Sequence, residues 1–245
     1  MIRDMCTVLW KEWRSLLRQP GGRLRLAMVV AIPAGHLGIV APLIIGTDYA
    51  IEANPWFIAV VLPIVTVTMT APDSFAGERE RKTLRTLLAS RLPDHAILWA
   101  KVAFATGLGM ATMLTTQGIA MVTVNATTSA GALILVPADR LAFIVAVSLL
   151  VTAAMAGAAV LISLRAATVQ QAQQTLGAGF FLIPTVLGAL LLVTSRNGAS
   201  TSLRELFGSL GTMAGRLSLM GGLLVLAVTL LLLARTGFKR SRLVS

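Results

Sequence analysis

Glu78, Arg79, Glu80, Arg81 and Lys82 form an unbroken run of mixed-sign charge, and Leu84, Leu87 and Leu88 follow at helical spacing. The chemistry on offer is ion pairing and docking. Carboxylates meet basic groups, while the leucines give a face suited to a groove. Nothing in the chain is arranged for bond cleavage. It has no His-Glu-x-x-His, no Walker A loop and no Gly-x-Ser-x-Gly, so neither a catalytic set nor a metal set is expected. ATP hydrolysis by this chain is excluded on the same ground. A single cysteine, Cys6, excludes an intrachain disulfide and a cysteine metal cluster. His36 lies in the middle of an apolar stretch, where an ionisable group is by default a site hypothesis. A lone histidine bonded to a backbone carbonyl between helices is the favoured reading of it. Thr115, Thr116, Gln117 and Asn125 offer a polar interface, although threonine in a membrane helix commonly bonds its own backbone.

These residues are carried by elements that belong in lipid. Of the 245 residues, 56% are hydrophobic and 13% charged, with a mean hydropathy of +0.82. Soluble domains carry about a quarter charged residues. A spanning helix needs about 20 apolar residues to cross about 30 Å. Six stretches qualify: 26–46, 55–75, 102–125, 141–164, 176–194 and 217–234. The fold class expected is all-α, a single polytopic transmembrane domain over 1–245. No cleavable signal peptide is expected, since the first apolar run is long enough to stay in the membrane.

Lysine and arginine set the orientation. Seventeen lie on the side of the termini, of 78–88 and of Arg165, while Arg140, Arg196, Arg204 and Arg216 lie on the other. Both termini are therefore expected in the cytoplasm of a multi-pass protein of the cell membrane. The net charge of +11 sits in short runs beside apolar segments. It points to anionic head groups, and no nucleic-acid partner is expected.

Three segments outside the spans are candidates for function. The stretch 1–22 alternates an apolar face (Met5, Leu9, Trp13, Leu16) with a cationic one (Lys11, Arg14, Arg18). That is an interfacial helix, ended by Pro20, Gly21 and Gly22. It acts either as an anchor alone or as an elbow that touches a partner. The stretch 77–101 is too charged for lipid. Its leucine stripe, extended by Leu92, predicts a helix ended by Pro93, with Asp94 capping the next. It is a solvated connector or a docking element. In 195–216, Leu203, Leu206, Phe207 and Leu210 form a short stripe among glycines, readable as a plain outer loop or as a re-entrant helix. Pro33, Pro42 and Pro63 are expected to kink their helices.

Phe75, Glu78, Glu80, Thr83, Leu84, Leu87, Leu88 and Lys101 resemble the pattern that follows the second span in ABC-2 type transporter permeases. Lys82 stands where glycine is common in that pattern, Arg85 where glutamate is, Arg91 where proline is, and Ala100 where glycine is. The Lys11–Glu12 start, continuing through Trp13 and Arg14, resembles the family's elbow helix. The stretch RAATVQQAQQ at 165–174 resembles its polar loop before span five. The resemblance covers the whole chain. It implies a permease subunit of an ATP-driven exporter, working as a homo- or heterodimer with separate ABC ATPase subunits. ATP and magnesium would be bound by those subunits, with no cofactor in this chain. Glu78, Glu80, Thr83, Leu84, Leu87 and Leu88 would then couple to the ATPase, and Lys11, Glu12, Trp13 and Arg14 would form the elbow. The resemblance assigns no substrate-binding residues. An ion-coupled secondary transporter and a non-transporting membrane scaffold or regulator are the alternatives.

Overall fold

A computed structural model describes residues 2–18, 21–46, 54–128, 133–180 and 212–238. Among them every regular element is helical. Five helical stretches are long and apolar enough to cross a membrane: Gly22–Ile45, Val60–Glu80, Asp94–Thr127, Ala138–Arg165 and Met213–Gly237. Most of the expected span at 176–194, and 195–211 of the expected outer segment, lie outside the described residues.

Helix α1 (Ile2–Arg18) is amphipathic as expected. Val8 is buried against the rest of the chain, while Trp10 and Trp13 point outward, with the Arg14 guanidinium 4.6 Å above the Trp10 ring. Gly21 then takes a left-handed φ of 73°, which favours glycine, and turns the chain into α2 (Gly22–Gly35).

Span one is interrupted. A π-helical turn, His36–Val40, separates α2 from α3 (Ala41–Ile45). Pro42 has no N–H to give to the Gly38 carbonyl, and the Thr123 hydroxyl donates to that oxygen at 2.9 Å instead. Gly38 permits the approach, because a Cβ there would lie 2.9 Å from Ile119 Cγ2. The disturbance expected from Pro42 is thus a π-turn sealed by a neighbouring span.

Helix α4 (Asn54–Thr70) passes into a 3-10 turn, Ala71–Ser74. Two short helices follow, α5 (Ala76–Glu80) and α6 (Leu84–Leu88). The single helix expected before Pro93 is therefore two pieces. Lys82 separates them in a left-handed conformation, φ 57°. Thr83 N–H bonds the Glu78 carbonyl at 2.9 Å and Lys82 N–H bonds that of Arg79 at 3.0 Å, the two bonds of a Schellman helix end. Nor does Pro93 end α6: the helix stops at Leu88, and the Ser90 hydroxyl takes the Leu87 carbonyl at 2.6 Å. Pro93 is instead the N-cap of α7 (Asp94–Thr127), so Asp94 is its first residue and not its cap.

Helices α4, α7 and α8 (Ala138–Arg165) form the inner bundle. They approach at Gly109, where a Cβ would stand 2.7 Å from Thr152 Cγ2. Small residues at such crossings are the membrane's means of close packing. A further helix, α9, covers 169–180, and α10 (Met213–Gly237) lies along α8 with Leu230 against Gly157. Arg216 of α10 pairs with Asp139 of α8 at 3.7 Å at one end of the bundle. The polar residues of α7 do not share a surface: Thr116 and Gln117 are buried, and Thr115 faces out. Asn125 is engaged, its side chain bonding Met121 O, Ile134 O and Ile134 N at 2.7–2.8 Å and so pinning the stretch 133–137.

Candidate coupling site

The residues expected to carry function collect at the end of the bundle opposite Asp139. Four successive charges of the α5 region reach four different places. Glu78 is buried; its carboxylate accepts from Lys11 of α1 and from the Thr83 hydroxyl. Arg79 donates to the carbonyls of Leu164, at 3.0 Å, and Ala166, the C-terminal end of α8. Those carbonyls have no helical donor of their own, and a guanidinium supplies one. Glu80 accepts the N–H of Val169 at 2.7 Å, at the start of α9. A carboxylate there meets the positive end of the helix dipole. Arg81 turns back to Asp73 at 3.1 and 3.3 Å. The polar stretch RAATVQQAQQ is held by this segment, and Thr168 caps α9 by accepting from Gln171 N–H at 3.1 Å.

A second ionic clamp lies beside the first. Lys101 of α7 is fully buried, with its ammonium 2.7 Å from Glu12 of α1 and 2.5 Å from the Ser74 carbonyl. It also stands 4.9 Å from the centroid of the Phe75 ring. The elbow residues Lys11 and Glu12 are thus tied by opposite charges to α5 and to α7. Trp13 and Arg14 are not part of either clamp and lie on the outer face of α1.

Ser163 is the hub that sequence reasoning missed. Its hydroxyl accepts the N–H groups of Phe75 and Ala76 at 3.0 and 2.9 Å and donates to the Pro72 carbonyl at 2.9 Å. One buried hydroxyl thereby satisfies the backbone where α4 gives way to α5. The signal was a lone serine two residues from the charged end of an apolar helix, which is too common to single out.

The leucines stand differently from the acids. Leu84 and Leu87 are buried in the chain's own core with Phe75, Ile97, Leu98 and Val160. They are part of the protein interior and not a free face for a groove. The outward face of α6 and its flanks holds Lys82, Thr83, Arg85, Thr86 and Arg91. Among the described residues, the side chains of Lys82, Arg85 and Arg91 make no hydrogen bond or ion pair, so the exposed face of this segment is cationic. A solvated connector does not fit a segment whose acid and leucines are buried.

His36 starts the π-turn of span one, exposed on the surface and away from this cluster, not packed between helices as expected. Among the described residues no group of three or more histidine, cysteine or acidic side chains could hold a metal.

The profile of the ABC-2 type transporter family matches residues 3–195, which includes α1, the α5–α6 segment and the polar stretch before α9. No curated protein matches the chain. Permeases of this family generally work with ABC ATPase subunits. With a match over most of its length and apolar helices of spanning size, the chain belongs to the ABC-2 type transporter family as a multi-pass membrane permease.

Proposed function

We propose that this permease is half of an ATP-driven exporter, and that the α5–α6 segment passes the movement of a separate ATPase to the spans. The observation that carries the reading is the division of labour in 78–85. Glu78, Arg79 and Glu80 grip the elbow helix, the end of α8 and the start of α9, while Lys82 and Arg85 stay unpaired on the outer face. A push on that face would reach three elements through short, charge-assisted bonds. In this reading the charged end faces the cytoplasm, in keeping with the lysine and arginine asymmetry. Two copies, identical or not, would enclose the pathway. ATP and magnesium would stay on the partner. The exposed apolar faces of spans one and six leave room for such a second copy, as well as for lipid. Family membership favours this reading over an ion-coupled secondary transporter or a non-transporting scaffold.

The test is reversal of the outer charges, with the inner ones left alone. Arg85→Glu combined with Lys82→Glu should leave abundance and insertion unchanged. It should release the ATPase during detergent purification, or uncouple ATP turnover from transport in proteoliposomes. Wild-type retention and coupled transport in that variant would refute the role of this face.

A further inference from the structure

We propose that the cleft between α8, α9 and α10 at the charged end binds an anionic phospholipid, with the phosphate on Arg165. The cleft measures about 750 Å³. One wall is apolar, formed by Leu161, Leu164 and Leu233, and its polar rim includes Arg165, Gln171 and Thr236. Such an amphipathic site at the end of spanning helices matches a lipid, whose head group and chains divide in the same way.

The charges of the rim select an anion. Arg79 and Arg81 are both bonded within the protein, yet Arg165, exposed at the end of α8, makes no hydrogen bond or ion pair among the described residues. Among the described residues, no acidic side chain lines the cleft. The Gln171 side-chain oxygen already accepts Ala167 N–H at 2.9 Å, which leaves its NH₂ to donate to a phosphate oxygen. The Thr236 hydroxyl donates to Leu233 O at 3.0 Å, so its oxygen is free to accept from a head-group hydroxyl. A soluble anion would have no use for the leucine wall. An anion carrying hydrocarbon chains uses both halves.

The inference rests on the membrane-spanning reading and not on transport. Purified full-length permease is incorporated into nanodiscs that contain phosphatidylglycerol and phosphatidylcholine in equal amounts, and the lipids retained after transfer to detergent are weighed by native mass spectrometry. Phosphatidylglycerol should be retained in preference. Arg165→Gln should reduce that preference by roughly fivefold, the effect of one cation at an anionic lipid surface. Arg165→Lys should keep most of it. Leu161→Trp, which fills the cleft without touching the charge, should lower retention of both lipids. Soluble glycerol phosphate should not displace the bound lipid. Equal retention of the two lipids, an unchanged preference in Arg165→Gln, or displacement by glycerol phosphate alone would each overturn the proposal. Because a nanodisc exposes both leaflets, these outcomes do not depend on which end faces the cytoplasm or on any ATPase.

Discussion

Removing Glu12 should destabilise the protein more than removing Glu12 and Lys101 together. Lys101 is fully buried and Glu12 nearly so, with 2.7 Å between the ammonium and the carboxylate. Breaking a buried pair by deleting one member costs about 3–5 kcal/mol, because the other charge stays behind without water or a counterion. Here the remaining ammonium keeps the Ser74 carbonyl and the Phe75 ring. The Phe75 contact is worth about 1–2 kcal/mol in a dry site, so Glu12→Gln should cost nearer 2–3 kcal/mol. Lys101→Met removes the charge itself and fills much the same volume. The double variant Glu12→Gln with Lys101→Met should therefore cost only about 1–2 kcal/mol, because a replaced ion pair is often near neutral and what remains is the attraction of the buried Glu78 lost with Lys101. The assay is denaturation in mixed micelles, followed by tryptophan fluorescence, to which Trp10 and Trp13 on α1 contribute with Trp56 and Trp99. A double-mutant cycle isolates the pair. If the two single losses simply add in the double variant, the pair is not coupled and the clamp between elbow and span three is not energetic.

Three further outcomes follow from the same geometry. Ser163→Ala strands two N–H groups and one carbonyl, and should cost about 2–4 kcal/mol of stability in the same denaturation assay, with Ser163→Thr less harmful. Lys82→Gly relieves a left-handed residue of its Cβ and should raise stability by about 1 kcal/mol, whereas Lys82→Val should lower it, by the same measurement. In a Cys6→Ser background, cysteines placed at 82 and 170 should resist an impermeant thiol reagent in intact cells, and cysteines at 50 and 132 should react. Labelling at 82 from outside would invert the topology.

Hydropathy alone pointed to apolar helices, and five stretches of spanning length stand among the described residues. The stretch expected at 217–234 sits inside α10, and the amphipathic helix expected in 1–22 is α1. The charged segment was legible as the place where something happens, since carboxylates and arginines so dense cannot be buried without partners. Which partners they chose was not legible. Lys11 finds Glu78 across 67 positions, and Lys101 finds Glu12 across 89. No local period encodes such pairings. The leucine stripe was misleading for a related reason: a helical face tells that Leu84 and Leu87 will be buried, but not whether a partner or the chain's own core does the burying. Lys82 shows the opposite case. Lys82 holds a positive φ, a conformation that favours glycine, and that requirement becomes visible only in the backbone.

Helix α7 has 34 residues and no proline, so it is a rod about 51 Å long. The hydrocarbon it crosses is about 30 Å thick. About 20 Å of the rod must therefore stand clear of the acyl chains. Lys101 is its eighth residue, near the Asp94 end. Such a rod is a lever with its fulcrum in the bilayer. A tilt of only about 5° about its midpoint would sweep the Asp94 end by roughly 2 Å, more than the slack in a hydrogen bond. Small rotations of the elbow, gripping that end through Glu12, would thus be delivered to the far leaflet as equal and opposite displacements, without bending the helix.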